Sequence, residues 1–470
     1  MALKLKEKKV PNNSNDGFTE TIKFKILFCG NVSGNNNKFY SLEIQKNSFG
    51  RYRLFSHYGR LGKTEVFGVR DEDELTGTLL NDLTAVEKEF NTIIKDKLRG
   101  KKIKENGEER IEKYEEIDVV VPKIGSENIC QKPVKVATQT VQKIDTSSFD
   151  KNVARIIDQI VEENIHNITS STSLTFTTNG FETPLGPVTK EHVQRAREPL
   201  QVLKSSLKDG KLNPDSKVVV NSNNLYYSLI PHPFGHKITE EDWILSDEKL
   251  SDEFDLLDQL ETAVQMGNSI GQGAKQRLNA LGTDVDYLND KNECNRITDY
   301  IEKSKADNHN GSEVWHYKVK NIFKIKIPNE RQRYEQHGKN MGSKKELFHG
   351  SKNCNILSIL KNGLIIPPVS CPTYSGRMFD DGLYFACNSS KSLNYSIGFW
   401  GGSVKNRHNN SFLFLADVIM GKTFEAYSSC RRPQGYDSIH AKKGRGLYNE
   451  EFIVFNLHQA TLTYLVELSK

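Results

Sequence analysis

Paired cysteines are the first feature that this sequence lacks. Its seven cysteines are scattered and odd in number, and no C-x-x-C pair occurs, so neither a zinc ribbon nor a disulfide framework is supported. No run of about 18 apolar residues occurs either, so we expect no transmembrane helix. The first ten residues contain four lysines and no apolar segment. We therefore expect no secretory signal and a soluble, intracellular protein.

The sequence also lacks the common nucleotide-binding loops. Gly62-Lys63-Thr64 and Gly421-Lys422-Thr423 resemble the end of a P-loop, but His57 and Ala416 stand where that loop needs its first glycine. No G-x-G-x-x-G segment follows a predicted strand, so a Rossmann site is not supported. The net charge is only +5, so any nucleic-acid role must depend on local basic patches.

A chain of 470 residues is expected to form about three domains, and its pattern changes twice. Residues 1–20 are predicted to form a disordered basic arm. Residues 21–105 contain the strand-like runs FKILFCG, KFYSLEIQ and GRYRLFSHYGRLG, which predict an antiparallel sheet with one solvent-exposed face. A helix is predicted from Ala85 to Leu98. Residues 106–145 are charged and poorly periodic, and we interpret them as a linker.

Residues 146–275 are predicted to be helical. Apolar residues recur at helical spacing in three stripes, near residues 153–161, 193–207 and 254–264. The segment NNLYYSLIPHPFG is apolar but contains turn-forming residues, and it predicts a long irregular connection within a helical bundle.

Residues 285–470 are rich in short strand-like runs, with helices predicted only near 355–362 and 389–398. These runs are VKNIFKIKI, KELFHGS, GLYFAC, FLFLADVIM, EEFIVFNL and TLTYLVEL. The predicted fold class is therefore a multidomain α+β protein, with an N-terminal antiparallel sheet, a central helical bundle and a β-rich C-terminal domain.

Three segments of the C-terminal domain carry chemistry. A strand ends in Leu347-Phe348-His349-Gly350-Ser351, which places an imidazole, an open backbone and a hydroxyl together. The segment from Gly376 to Tyr395 follows the pattern G-x-M-F-x-x-G-x-Y-F-A and then K-S-x-N-Y, and Leu447 to Phe455 reads LYNEEFIVF. Residues 285–470 closely resemble the catalytic domain of the poly(ADP-ribose) polymerases, in their DNA-dependent branch. The resemblance implies an ADP-ribosyltransferase that uses NAD+ as its substrate and needs no metal.

The resemblance also implies roles for the strand end and its neighbours. His349 would bind ribose hydroxyls of NAD+. The Gly350 backbone and the Ser392 hydroxyl would bind the nicotinamide carboxamide, with Ser351 nearby.

Five further residues complete the expected substrate pocket. Tyr395 would stack on the nicotinamide ring, and Tyr384 would close the other side. Lys391 would lie beside the reacting centre, and Asn355 and Ala386 would line the pocket.

A carboxylate is the remaining catalytic group. Cleavage of the nicotinamide–ribose bond develops oxocarbenium character, which a carboxylate stabilises, and the same group can polarise the incoming hydroxyl. Alignment through Ile453-Val454-Phe455 assigns this role to Glu451, whereas alignment through Leu447-Tyr448-Asn449 assigns it to Glu450. We prefer Glu451, because the strand that follows fixes the side-chain direction.

The other two domains resemble the regulatory and WGR domains of the same family. Pro184-Leu185-Gly186, YYSLIPHPFG and Leu256-Leu257-Asp258 carry the regulatory resemblance, in which Asp258 faces the adenosine side and the bundle blocks NAD+ until DNA loosens it. Tyr58 stands at the tryptophan of the WGR motif. It is predicted to stack on DNA, with Arg60 and Lys63 on phosphates.

The resemblance therefore implies a transferase, activated by DNA strand breaks, that modifies itself and proteins near DNA damage with poly(ADP-ribose). An accessory factor that completes the acceptor site is a further expected partner. By the same resemblance, the set His349, Tyr384 and Glu451 implies polymer formation over single-unit transfer, because the family's mono-transferases usually lack the glutamate. Alternatives are a DNA-end scaffold with a silent catalytic domain, a mono-ADP-ribosyltransferase, and a secreted toxin of the same fold. We expect a nuclear location in a eukaryote and a cytoplasmic one otherwise.

Overall fold

The computed structural model describes most of the chain and divides it into two compact units. The described residues are 7–10, 17–31, 36–60, 65–71, 80–105, 108–116, 150–177, 180–183, 186–234, 238–306, 313–338, 340–366, 378–398, 409–444 and 446–470. The first unit comprises Met1–Gln139, Ile168–Leu203 and Leu212–Leu245. The second comprises Thr140–Asn167, Lys204–Lys211 and Ser246–Lys470.

The N-terminal region forms an antiparallel sheet with one long helix. Its strands are β1 (Lys8–Val10), β2 (Phe18–Asn31), β3 (Asn36–Asn47), β4 (Tyr52–Arg60), β5 (Glu65–Arg70), β6 (Lys101–Glu105), β7 (Glu108–Glu112) and β8 (Glu115–Glu116). The main sheet has the order β1-β5-β4-β3-β2-β8, and β6 pairs with β7. Helix α1 (Leu83–Arg99) begins after Asp82, whose side chain accepts a hydrogen bond from the backbone of Thr84.

Helix α1 buries one apolar stripe against the sheet. Val86, Phe90 and Ile94 lie four residues apart and are buried, so they share one face of the helix. They pack with Leu42 and Ile44 of β3 in one hydrophobic cluster. This packing explains why α1 forms at the predicted position.

The prediction that one face of this sheet is exposed to solvent is wrong. Glu43, Gln45 and Arg53 are buried on the face opposite Leu42. The Arg53 Nε donates to Gln45 at 2.8 Å, and Gln45 Nε2 donates to Glu43 at 2.8 Å. The polar residues that suggested a wet face therefore satisfy one another in the interior.

The predicted arm and linker are partly ordered, which corrects both predictions. Within residues 1–20, β1 pairs with β5, and the Glu7 carboxylate accepts a 2.5 Å hydrogen bond from Ser56. Within residues 106–145, β7 and β8 are strands and Tyr114 is buried. Short paired strands escaped detection because charged residues hide the period-2 pattern. Residues 117–145 lie outside the described residues.

The middle of the chain is mainly helical. Its helices are α2 (Lys151–Ser171), α3 (Lys190–Ser205), α4 (Lys217–Leu229), α5 (Asp247–Met266) and α6 (Ala274–Leu281), and its short strands are β9 (Thr175–Thr177), β10 (Gly180–Thr183) and β11 (Gly186–Pro187). A 3-10 turn, Gly267–Gly271, follows α5. Helix α4 corrects the predicted irregular connection, because Asn223 to Leu229 belong to it. Pro231 and Pro233 follow only after the helix has ended.

The C-terminal region is an α+β fold with two sheets. Its strands are β12 (Asp284–Tyr287), β13 (Lys318–Lys326), β14 (Lys344–Gly350), β15 (Leu383–Phe385), β16 (Asn410–Ile419), β17 (Thr423–Ala426), β18 (Ser438–Ala441), β19 (Glu451–Val454) and β20 (Ala460–Ser469). Its helices are α7 (Lys291–Lys303), α8 (Pro328–Arg333), α9 (Ile356–Asn362) and α10 (Ser389–Ser396). The sheets have the orders β12-β13-β20-β16-β14 and β15-β19-β18-β17.

This architecture confirms the predicted multidomain α+β class. The sequence pattern missed α7 and α8, although α7 buries Ile297 and Ile301 in the core that includes Phe348 and Leu393. Among the described residues, no helix is long and apolar enough to cross a membrane.

Candidate active site

His349 lies at the end of β14 and is half-buried. Its Nδ1 lies 2.9 Å from the backbone carbonyl of Tyr384, so Nδ1 carries the proton in this contact and Nε2 is left as an acceptor. Burial lowers the pKa of His349, against the opposing effect of the hydrogen bond to Tyr384. The ring is therefore neutral at neutral pH.

Gly350 brings β14 into close contact with helix α10. A Cβ atom at Gly350 would lie 1.8 Å from the backbone oxygen of Ser392, so only glycine fits here. The Ser392 hydroxyl donates to the Phe348 carbonyl at 3.1 Å. This bond fixes the Ser392 oxygen beside the strand end, and its role toward a carboxamide remains a prediction.

Tyr384 and Ala386 join β15 to the strand end. The Tyr384 hydroxyl donates to the Asp380 carbonyl at 2.8 Å and accepts from the Phe379 N–H at 3.1 Å. The backbones of Ala386 and Phe348 exchange two hydrogen bonds of 2.8 and 3.0 Å. His349, Tyr384 and Ala386 are therefore held together by backbone and hydroxyl contacts.

The Glu451 carboxylate is buried, and only one of its two oxygens has a hydrogen-bond partner among the described residues. Lys391 Nζ lies 2.8 Å from Glu451 Oε1 and also donates to the Asn449 carbonyl at 2.8 Å. Among the described residues, no hydrogen-bond partner contacts Glu451 Oε2, which is buried. A buried carboxylate oxygen without a partner is costly unless a ligand or water meets it. Burial also lowers the pKa of Lys391, although Glu451 opposes that effect.

Glu450 lies on the other side of the same sheet. In the β18–β19 register, Ala441 is opposite Glu451 and His440 is opposite Phe452, so Glu451 and His440 point to different faces. The Glu450 carboxylate contacts His440 Nε2 at 2.8 Å. The structure therefore brings Glu451, and not Glu450, to Lys391.

Tyr395 follows Lys391 by four residues on α10, so the two side chains share one helix face. Burial raises the pKa of Tyr395 well above its usual range, and the nearby Glu451 charge raises it further. The structure thus gathers Lys391, Tyr395 and Glu451 into one group.

Ser351 and Asn355 lie beyond the strand end and meet helix α5. Asn355 Nδ2 donates to Asp255 Oδ2 at 3.2 Å and to Ser351 Oγ at 3.4 Å. Asp258, the predicted contact of α5, accepts from Ser358 through its backbone carbonyl at 3.2 Å. The α5 carboxylate that touches the predicted pocket residue Asn355 is thus Asp255.

No sequence motif singles out Asp255. Burial raises its pKa to about 6, while Lys352 and Asn355 oppose that rise. The sequence could have pointed to Asp255 through its position, because it lies three residues before Asp258 and so on the same helix face.

The structure describes two of the three predicted DNA-binding residues. Tyr58 is half-buried and stacks on Tyr40 with ring centroids 5.4 Å apart. Arg60 is also half-buried on β4, and Lys63 lies outside the described residues. No cluster of metal-ligating side chains is found in the part of the chain that the structure describes.

Three family models match successive parts of the chain. Residues 26–109 match the WGR domain, residues 147–287 match the regulatory domain of poly(ADP-ribose) polymerase, and residues 291–445 match the poly(ADP-ribose) polymerase catalytic domain. These are the three domain types, in the same order, that the sequence motifs resemble.

Whole proteins with similar sequences carry related names. The chain is 26% identical to protein mono-ADP-ribosyltransferase PARP3 of Homo sapiens, over 88% of this chain and 75% of that protein. It is 26% identical to poly [ADP-ribose] polymerase 1 of Xenopus laevis, over 93% of this chain but 44% of that protein. It is 25% identical to poly [ADP-ribose] polymerase 2 of Arabidopsis thaliana, over 94% of this chain and 72% of that protein.

Proposed function

Because this chain belongs to the poly(ADP-ribose) polymerase family and is an NAD+ ADP-ribosyltransferase, we propose that DNA strand ends activate it. We further propose that it transfers ADP-ribose, as a polymer, to itself and to proteins near the DNA damage. This proposal places it in the nucleus of a eukaryotic cell, or in the cytoplasm otherwise.

The observation that carries the catalytic proposal is the divided environment of Glu451. Lys391 holds one carboxylate oxygen, and the other is buried without a partner among the described residues. A DNA-binding scaffold without catalytic activity does not require a buried carboxylate with one unpaired oxygen. An ADP-ribosyltransferase requires a carboxylate beside the reacting sugar. The free oxygen stabilises the oxocarbenium-like ribose as nicotinamide leaves, and it then orients the acceptor hydroxyl.

The remaining residues bind and orient NAD+ in this proposal. The neutral His349 ring accepts a hydrogen bond from a ribose hydroxyl through Nε2, because Nδ1 is bonded to Tyr384. Tyr395 stacks on the nicotinamide ring, and Gly350 and Ser392 bind its carboxamide. Holding the substrate in one orientation removes much of the entropic barrier to the reaction.

The DNA-dependent part of the proposal is supported by the WGR match and by Tyr58 and Arg60 on β4. An aromatic ring stacks on a base or sugar at a DNA end, and a guanidinium contacts phosphate. Helix α5 contacts Asn355 and Ser358, so loosening of α5 would change the predicted substrate pocket. Activation then requires DNA to favour the loosened state.

The test measures nicotinamide release by the full chain with NAD+ and three DNA samples. These are blunt-ended duplexes, nicked duplexes and closed circular DNA at equal phosphate concentration. We expect release to rise with ends or nicks only, together with modified protein of high mass. Absence of release with every DNA contradicts the enzymatic proposal, and equal release with circular DNA contradicts activation by ends.

Transfer of a single ADP-ribose unit is the second candidate function. The similarity to a protein named mono-ADP-ribosyltransferase, which covers 88% of this chain, favours it. The same reaction separates the two, because single transfer gives a discrete mass increase per site and polymer formation gives a broad distribution.

A further inference from the structure

The Glu7 carboxylate occupies a small polar site on the N-terminal sheet. It accepts a 2.5 Å hydrogen bond from the Ser56 hydroxyl and lies 3.4 Å from the Arg70 guanidinium. Ser56 is buried, and the Arg70 side chain is only 16% exposed. We call Ser56, Gly68 and Arg70 the anion site, because they surround this carboxylate.

The register of two strands builds the anion site. Ser56 on β4 lies opposite Gly68 on β5, and Arg70 follows Gly68 by two residues, so all three point to the same face of the sheet. A Cβ atom at Gly68 would lie 2.8 Å from the Glu7 carboxyl carbon and 2.8 Å from the Ser56 oxygen. The missing side chain therefore makes room for an anion. Strand β1 pairs with β5, which brings Glu7 level with Arg70.

The groups of the anion site suit a phosphate as well as a carboxylate. Serine hydroxyls and arginine guanidinium groups are donors that contact DNA phosphates. Arg70 Nη1 is buried and has no hydrogen-bond partner among the described residues, and a buried donor without a partner is costly. A phosphate has more acceptor oxygens than the two of Glu7, so it can also meet this donor.

The anion site lies beside the ring that we propose to stack on a DNA end. Tyr58 follows Ser56 by two residues on β4, so the two share a face and are roughly 7 Å apart along the strand. Burial raises the pKa of Tyr58, and the negative charge of Glu7 raises it further. The Glu7 charge therefore acts on the proposed DNA-binding ring, where it also repels a DNA backbone.

We propose that Glu7 takes the place of a DNA phosphate in the free chain and that a phosphate near the DNA end displaces it. This inference rests on the proposed function, in which Tyr58 stacks on the DNA end. Arg70 and Ser56 then contact the DNA backbone, and the N-terminal arm competes with DNA for this contact.

The test measures the Kd of the full chain for a fluorescently labelled blunt-ended duplex by anisotropy. Glu7→Gln should lower Kd about fivefold or more, because a neutral amide binds Arg70 more weakly and the apparent affinity rises with the fraction of open site. The control is Glu20→Gln, which removes the same charge from β2, where Glu20 is 61% exposed and lies 3.9 Å from Lys46. The control should keep Kd within about twofold of wild type.

Two further variants separate displacement from a general loss of negative charge. Glu7→Asp keeps the charge but withdraws the carboxylate from the anion site, so it should also lower Kd. Arg70→Gln removes the proposed phosphate contact, so the slope of log binding constant against log salt should become shallower by about 0.9. Adding Glu7→Gln to Arg70→Gln should lower Kd no further, because the two residues act through one contact.

Each variant also has a result that overturns the inference. These results are a wild-type Kd in Glu7→Gln, an equal fall of Kd in Glu20→Gln, a wild-type Kd in Glu7→Asp, and an unchanged salt slope in Arg70→Gln. If Arg70→Gln does not fold, Glu7→Asp decides, since it leaves the three residues of the anion site intact. Failure of the proposed function is a different result, because nicotinamide release by wild type would then not respond to DNA ends, whatever the Kd values.

Discussion

At the scale of single residues, two adjacent glutamates have opposite environments. Glu451 is 5% exposed and contacts Lys391, whereas Glu450 contacts His440 on the other face of the sheet. The sequence contains both carboxylates, but only strand register separates them. Their neighbours in the fold therefore argue for Glu451 as the catalytic carboxylate.

Replacement of Glu451 with Gln should lower kcat for nicotinamide release by about 100-fold or more, because a neutral amide cannot stabilise positive charge on the ribose. The matched variant Glu450→Gln should retain kcat within a fewfold of wild type, since it loses a contact with His440 on the opposite face. Both are measured with DNA ends present. Equal loss in the two variants would show that the pocket carboxylate has been misassigned.

The residue types at the site could be predicted from the sequence, but their bonds could not. His349, Gly350, Tyr384 and Lys391 stand in recognisable motifs. The Tyr384 hydroxyl, however, bonds the backbone at Phe379 and Asp380, and such a contact depends on a turn conformation that no motif specifies. The roles of these residues toward NAD+ stay predictions until the variants are measured.

At the scale of secondary-structure elements, apolar periodicity was a reliable guide only where one face is apolar and the other polar. It located α1 to within about two residues at either end. For β3 it predicted the wrong exposure, since Glu43 and Gln45 are buried. Polar residues that pair with one another in the interior look like solvent-facing residues in a sequence. It also failed to predict helix α4, because two tyrosines and the nearby prolines made this segment look unlike a helix.

Helix α5 offers a prediction about pH. The Asp255 pKa is raised from 3.8 to about 6, so the folded protein holds a proton there that the unfolded chain releases. The free energy of unfolding therefore falls as pH rises between these two values. In Asp255→Asn this loss is absent, so the variant should gain stability relative to wild type as pH rises from about 4 to 6.5. After allowance for partial exposure, we expect the gain to be on the order of 1 kcal/mol.

The measurement is the midpoint of unfolding for Asp255→Asn and wild type, taken side by side in the same buffers. Other groups titrate in both proteins and cancel in the difference. A difference that stays constant across this range would mean that Asp255 titrates alike in the folded and unfolded chains.

At the scale of the whole molecule, the proposed function requires an N-terminal DNA sensor to control a C-terminal enzyme. The order of the WGR, regulatory and catalytic domains was visible in the sequence, because each carries its own motifs. The control itself cannot be seen in one conformation, since it is a difference between two states. It must therefore be tested by changing the sensor and measuring the enzyme.

Tyr58→Leu is the sharpest change available in the sensor. Leucine preserves apolar packing beside Tyr40 but removes the ring that we expect to stack on a DNA end. Loss of one aromatic–base stack costs about 1–3 kcal/mol, so the DNA concentration for half-maximal activation should rise about 10-fold or more. Nicotinamide release without DNA should be unchanged, because Tyr58 is proposed to act only on DNA.

Phe49→Leu is the matched control for Tyr58→Leu. Phe49 is 86% exposed and lies in the turn between β3 and β4, whereas Tyr58 lies near the far end of β4. The two aromatic positions therefore sit at opposite ends of one strand, so a DNA end that stacks on Tyr58 need not reach Phe49. We expect Phe49→Leu to activate at the wild-type DNA concentration. If both variants shift alike, DNA recognition does not centre on Tyr58, and if neither shifts, the ring plays no part in activation.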